Sequence, residues 1–191
     1  METVERTRKT RETTIRVRLA LSGKPGRIST GVGFLDHMLE LFSYHGGLGL
    51  SVEAKGDLHV DAHHTVEDVG ITLGEALSEA LGERKGILRY GEATIPMEES
   101  LAQVVVDLAR RPFFRFEGRF PVERVGFFDL ELIPEFLKAL AMNGVFTLHA
   151  RLLYGENAHH MAEALFKALA YALRRALLAT EDGPRSTKGL L

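Results

Sequence analysis

Two short stretches decide how this chain is read: His63-His64-Thr65-Val66-Glu67 and His159-His160-Met161-Ala162-Glu163, which repeat the pattern H-H-x-x-E 96 residues apart. Each follows a polar loop (DLHVDA at 57–62, LLYGENA at 152–158) and leads into apolar residues at helical spacing. Behind the first motif, Leu73, Leu77 and Leu81 fall four apart. Behind the second, Met161, Leu165, Leu169, Leu173 and Leu177 do the same. Upstream, LDHMLELF (35–42) lines up with IPEFLKAL (133–140) and sets His37 opposite Glu135.

The flanking segments keep a common order in the two halves. Glu12–Leu21 alternates apolar and polar residues and predicts a strand, closed by a turn at Gly23, Pro25 and Gly26. Phe34–Tyr44 predicts a helix that stops at Gly46-Gly47, Gly49–Val60 a strand, and Thr65–Leu81 a helix ended by Gly82. In the second half, Leu101–Leu108 and Phe113–Phe116 predict strands. Leu130–Met142 predicts a helix stopping at Asn143-Gly144, Val145–Leu153 a strand, and Ala158–Leu178 a long helix. The chain is therefore expected to be α+β, made of two tandem pseudo-symmetric copies of a βαβ-type helix-on-sheet module. The copies span about 1–92 and 93–191, and no Pro/Ser-rich or charged linker parts them, so they form a single domain.

Composition narrows the function. At 191 residues, 45% hydrophobic and 26% charged, the chain is globular and long enough for a full core. A net charge of −2 argues against a nucleic-acid partner. The absence of cysteine excludes disulfides, zinc-thiolate sites, iron–sulfur clusters and cysteine nucleophiles. No apolar run reaches membrane-spanning length, and METVERTRKTRETT is too charged for a signal peptide. A cytoplasmic protein without a membrane partner is the expectation.

The chemistry lies in the two motifs. On a helix, the first histidine and the glutamate are four apart and share a face. The two adjacent histidines point roughly 100° apart and serve two different ions rather than gripping one. Two motifs in one pseudo-symmetric chain thus point to two metal sites with imidazole and carboxylate ligands. Imidazole and carboxylate without thiolate suit manganese, iron or zinc, and the mixed nitrogen and oxygen set favours manganese. Asp57, His59, Asp61 and Asp68 are placed to orient the ligand imidazoles. A lone histidine pair at a helix start usually reads as a solvated end. Its repetition argues otherwise, because packing preserves leucines and has no use for imidazoles at an exposed helix start. His45 and His149 read as structural, with His45 at a helix end that favours a cation.

Basic residues suggest an anion site. Gly183-Pro-Arg-Ser-Thr-Lys-Gly189 suits a loop that closes on a phosphate, although its order is not that of a P-loop. Arg89, Arg111 and Lys167, one helical turn beyond Glu163, can add charge. Gly31-Val-Gly33 lacks the third glycine of a dinucleotide fold and reads as a turn.

With these residues in view, the chain resembles the imidazoleglycerol-phosphate dehydratases. The matching stretches are RKTRETTI (8–15), GVGFLDHMLELFSYHGG (31–47), GDLHVDAHHTVEDVGITLGEAL (56–77), GILRYG (86–91), RRPFF (110–114), LHARLLYGENAHHMAEALFKALAYAL (148–173) and STKG (186–189). They run over nearly the whole chain. The resemblance implies the duplicated ribosomal protein S5 domain 2-like fold and a hydro-lyase of histidine biosynthesis. Its reaction converts D-erythro-imidazolylglycerol phosphate to imidazole-acetol phosphate and water. It implies two manganese ions (Mn2+) per active site and a route through a manganese-bound imidazolate that expels the side-chain hydroxyl. The metal ligands so implied are His37, His63, His64, Glu67, His159, His160 and Glu163. Glu135 joins them at a position where many members carry histidine. Glu12 matches the acid/base glutamate and forms the catalytic set with His64 and Glu163. Arg89, Arg111, Lys167, Ser186 and Lys188 match phosphate-binding positions. Glu98 stands where the family usually reads aspartate. For partners, the resemblance implies the phosphorylated imidazole substrate and a homo-oligomer of 24 subunits built from trimers, with sites at subunit interfaces.

Two other readings fit part of the pattern. A dinuclear metallohydrolase would use the same histidines to activate water, but it favours bridging carboxylates where histidines dominate here. A metal-assembled structural or storage particle explains the paired motifs and leaves Glu12 and the STKG tail without a role.

Overall fold

The computed structural model describes residues 2–180. The first half runs β1 (Val4–Lys9), β2 (Thr13–Ala20), β3 (Ile28–Ser29), α1 (Gly33–Gly46), β4 (Gly49–Gly56) and α2 (His63–Leu81). The second half runs β5 (Tyr90–Met97), β6 (Ser100–Asp107), β7 (Phe113–Glu117), the small hairpin β8 (Arg124–Val125) and β9 (Phe128–Asp129), α3 (Leu132–Asn143), β10 (Thr147–Tyr154) and α4 (Ala158–Ala176).

The two halves build the same sheet twice. The strand orders are β1-β2-β4-β3 and β5-β6-β10-β7, antiparallel throughout except for the last pair of each, which is parallel. The alternation read from the sequence sets which face is buried. In β2, Ile15, Val17 and Leu19 turn inward while Thr14, Arg16 and Arg18 face out. They sit opposite Ala54, Val52 and Leu50 of β4. In β6, Ala102, Val104 and Val106 do the same against Leu152, Ala150 and Leu148 of β10. The expected α+β architecture is thus observed.

The helices interlock the halves. α2 covers its own sheet through β2, and α4 covers its own through β5 and β6. The shorter helices cross over: α1 packs on α4, and α3 packs on α2. Glycines make the second contact close. A Cβ on Gly70 would stand 2.8 Å from the Phe136 carbonyl, and one on Gly74 2.7 Å from that of Leu140. Each half therefore completes the core of the other, and one continuous cluster of buried residues runs through both.

Some boundaries differ from expectation. The strand predicted to reach Val60 ends at Gly56, and residues 57–62 form a turn. α2 starts at His63 rather than Thr65, so both histidines of the motif occupy its first turn. The edge strands β1 and β5 were not foreseen. β5 begins at Tyr90, and residues 82–89 connect α2 to it. There Arg84, 2% exposed and with φ 57°, donates to the carbonyls of Leu108, Gly144 and Val145 and ties this connection to the turns that follow β6 and α3. Among the described residues, no helix is long and apolar enough to cross a membrane.

Candidate active site

The crossing of α1 onto α4 brings His37 to the second motif. Its Nε2 lies 3.2 Å from Oε1 of Glu163, and Nε2 of His159 lies 3.1 Å from the same oxygen. His159 and Glu163 share a face one turn apart, as their spacing requires. The imidazoles are about two-fifths exposed, whereas the Glu163 side chain is only 11% exposed. Its other oxygen, Oε2, accepts from Lys167 Nζ at 2.7 Å. Burial pushes the Glu163 pKa up, but the ammonium of Lys167 and the imidazole of His37 outweigh it and hold the group at about 2. It is a carboxylate at neutral pH, and the donor atoms of His37, His159 and Glu163 lie within 4.8 Å of one another. An open cavity of about 740 Å³ adjoins them, walled by His37, His159, Val32, Phe34, Leu58 and Phe127.

The second histidine of each motif is held differently, at Nδ1. That atom of His64 lies 3.0 Å from Asp57 Oδ2 and 3.7 Å from Glu12 Oε2. In His160 it lies 2.8 Å from Glu99 Oε2. The carboxylate bonds raise the pKa of both imidazoles, to Asp57 in one case and to Glu99 in the other. Glu99 is held well below the usual carboxylate range by His160, the Asn157 amide and the Ser100 hydroxyl. A carboxylate at Nδ1 keeps a proton on that nitrogen and leaves Nε2 as the free lone pair. Each motif thus offers one histidine paired with its own glutamate and a second whose Nε2 is left for another centre.

Local structure fixes both helix starts. Asp61 Oδ1 accepts the amide of His63 at 2.7 Å. Asn157 Oδ1 accepts the amides of His159 and His160 at 2.9 and 3.3 Å. A side-chain oxygen two residues ahead of each motif therefore satisfies amides that the helix leaves open.

The first motif is looser. Nε2 of His63 stands 3.9 Å from Glu67, and Glu135 on α3 pairs with Lys138 at 3.6 Å. Among the described residues, the groups with three convergent donors are His37–His159–Glu163 and Glu98–Glu99–His160, and the first motif enters neither. Of the residues expected to orient imidazoles, Asp57 does so and Asp61 caps the helix. Asp68 does not: it bonds Arg8 and Thr13, because its face of α2 looks at the β1–β2 hairpin. His45 is no favoured cation either. Burial, then the charge of Lys167, pushes its pKa down despite the helix end. Glu99 is a site residue the motif reading missed. The signal was available in the repeat, since Glu99 precedes β6 as Glu12 precedes β2.

Two of the expected basic residues, Arg89 and Arg111, gather on Asp107, whereas Lys167 pairs with Glu163. Arg89, 5% exposed, meets it in a two-pronged pair at 2.7 and 3.0 Å, and exposed Arg111 reaches Oδ2 at 3.0 Å. Ser186 and Lys188 lie outside the described residues.

A family model described as imidazoleglycerol-phosphate dehydratase matches residues 30–173. The imidazoleglycerol-phosphate dehydratase of Geobacillus kaustophilus is 53% identical over 187 residues, covering 96% of this chain and 96% of its own length. That of Methylorubrum extorquens is 51% identical over 195 residues and covers both chains fully. The crystal structure of the Staphylococcus aureus enzyme superposes with a TM-score of 0.86 at 43% identity, over 94% of this chain and 100% of that one. The Pyrococcus furiosus structure gives 0.85 at 42%, over 97% and 99%.

Proposed function

The chain belongs to the imidazoleglycerol-phosphate dehydratase family, and from that premise we propose the reaction and the residues that carry it. Membership makes it a hydro-lyase with a dehydratase role in histidine biosynthesis. The finer reading is conversion of D-erythro-imidazolylglycerol phosphate to imidazole-acetol phosphate and water, with two manganese ions per site, in a cytoplasmic oligomer of trimers.

The donor set suits the metal. Two imidazole nitrogens and one carboxylate oxygen, without sulfur, match manganese, and the three donors already converge. When bound, the metal supplies Lewis acidity and a coordination position for an imidazole nitrogen of the substrate. The chain does the rest. Glu163 stays ionised, with Lys167 on the oxygen facing away from the histidines. Glu12, near His64 on an exposed hairpin, is the group that moves the proton at the substrate carbon. Loss of that proton and departure of the hydroxyl as water leave an enol, which becomes the ketone. Arg89, Arg111 and Lys167 face the phosphate, together with Ser186 and Lys188. His63, His64, Glu67, Glu135 and His160 complete a second set of ligands across subunits. That sharing is supported by the carboxylates held at Nδ1 of His64 and His160, which leave Nε2 of each for another centre, and by the first motif's absence from the convergent groups among the described residues.

The observation that carries this reading is the convergence of His37 and His159 on one oxygen of Glu163. The test is turnover of imidazoleglycerol phosphate by metal-stripped protein before and after manganese, with particle mass followed in parallel. Activity and assembly returning together support it. Full activity in verified metal-free protein overturns the ligand roles.

A further inference from the structure

Asp68 lies in the first motif segment, HHTVED, yet it touches none of the groups assigned above. It is 6% exposed, and both its oxygens are used. Oδ1 accepts from Arg8 Nε at 2.7 Å, and Oδ2 accepts from the Thr13 hydroxyl at 2.5 Å. Arg8 lies one residue before the end of β1 and Thr13 begins β2, so the two bonds grip the hairpin on both sides of its tip. At that tip sits Glu12. Its amide and that of Thr13 donate to Thr10 Oγ1 at 3.1 and 2.9 Å, so the backbone of the tip is closed on itself.

The Glu12 carboxylate has no hydrogen bond among the described residues; its nearest partner is His64 at 3.7 Å. It is free to act, and its place is set by its backbone alone. His64 and Asp68 are four apart and share one face of α2. The same face therefore presents the imidazole and the anchor of the hairpin that brings the carboxylate to it.

The second half has a hairpin at the same place and, among the described residues, no such anchor. Ala164 occupies the position matching Asp68. There the tip residue Glu99 bonds His160 directly, at 2.8 Å, and is fixed by Ser100 and Asn157. A carboxylate bonded to its histidine needs no remote anchor, whereas one that must stay free does.

We propose that Asp68 is a positioning residue for proton transfer, holding the Glu12 hairpin in register with His64 through Arg8 and Thr13. This rests on the acid/base reading of Glu12. A proton-transfer group must lie within hydrogen-bond reach of its target, and displacement of about 1 Å can cost on the order of a hundredfold in rate.

The test uses the manganese-loaded assembly carrying Asp68→Ala. Thr13→Val serves as a second variant that keeps the buried acid and its arginine, in case the first fails to fold. Both are expected to lower kcat at least about tenfold, with KM for imidazoleglycerol phosphate and manganese affinity within about twofold of the parent. Combined with Glu12→Gln, neither should cause further loss. Unchanged kcat, manganese affinity falling in step with kcat, or losses that multiply with Glu12→Gln overturn the proposal. Full activity of Glu12→Gln alone overturns the Glu12 reading instead. The anchoring is then judged by hydrogen exchange at the Glu12 and Thr13 amides: faster exchange in Asp68→Ala upholds it, and unchanged exchange overturns it.

Discussion

Lys167 Nζ lies 2.7 Å from Oε2 of Glu163, the oxygen that the flanking histidines leave unused. One ammonium therefore steadies the carboxylate proposed to bind the metal and is also the group proposed to meet the phosphate. The two roles separate in Lys167→Met. Loss of a charge-assisted contact should raise KM for the phosphorylated substrate by about tenfold or more. Manganese affinity at pH 8 should not fall, because the carboxylate has lost a competing cation. With burial less opposed, the Glu163 pKa rises from about 2, so acid release of the metal should begin at higher pH. Titration calorimetry at several pH values checks both signs.

The Glu99–His160 pair gives a residue-level readout. The bond to Glu99 raises the pKa of this imidazole above its ordinary value. Glu99→Ala in metal-free protein should let the His160 titration midpoint fall, so the ring loses its proton at lower pH. His64, held by Asp57 in the other half, should not move. Imidazole proton NMR across pH 5 to 9 reads both rings (about a unit either side of the ordinary histidine value). A fall at His64 as well would show that the halves are coupled.

Much of this was legible in the pattern of residues, and the gaps have physical causes. The long helices and β2, β6 and β10 announce themselves because each buries one regular face. β1 does not: VERTRK is charged at four of six positions and mostly exposed, and its strand form comes from pairing with β2. β5 is an edge strand whose one fully buried residue is Gly91, so it carries no apolar stripe. Within the site, spacing predicted that His159 and Glu163 would meet. Spacing alone could not bring His37 to them; the resemblance implied it, and the crossing of α1 onto α4, a tertiary choice, is what does so. Asp68 shows the converse: four residues from His64, it suggested an imidazole partner, and the hairpin packed against α2 took it instead.

Arg84 should be the costliest single charge to remove. Burial pulls its guanidinium down to about 10, still charged at neutral pH, and it satisfies three carbonyls in the turns that follow β6 and α3. Arg84→Met leaves those carbonyls buried without a donor, at a cost of about 3–5 kcal/mol. Arg84→Lys should recover only part of this, since one ammonium lacks the planar spread to serve all three. Denaturant unfolding of both variants provides the comparison.

Acid stability should depend on Asp107. Burial raises its pKa, but the bonds from Arg89 prevail and set it below the ordinary value. A depressed carboxylate adds stability that is fully present above its unfolded pKa of about 4 and is lost as pH falls through the lower folded value. Asp107→Asn should therefore be less stable than the parent at pH 7, and the gap should narrow below about pH 4. Thermal melts between pH 2 and 7 would show the two curves converging if this holds (the range brackets the ordinary carboxylate pKa of roughly 4).

The repeated sheet order has a consequence for how such a chain can change. If a half-length chain built this core from two identical copies, every substitution would strike both copies at once. An aspartate at the helix position of residue 68 would then appear twice, and neither hairpin could be tuned alone. Joining the copies in one chain releases that constraint. Asp68 in one half and Ala164 in the other are what the release permits: one hairpin is tethered with its acid left unbonded, while the other spends its acid on a histidine. The donors shared by both motifs are what the two halves have in common, and these two residues are where they differ.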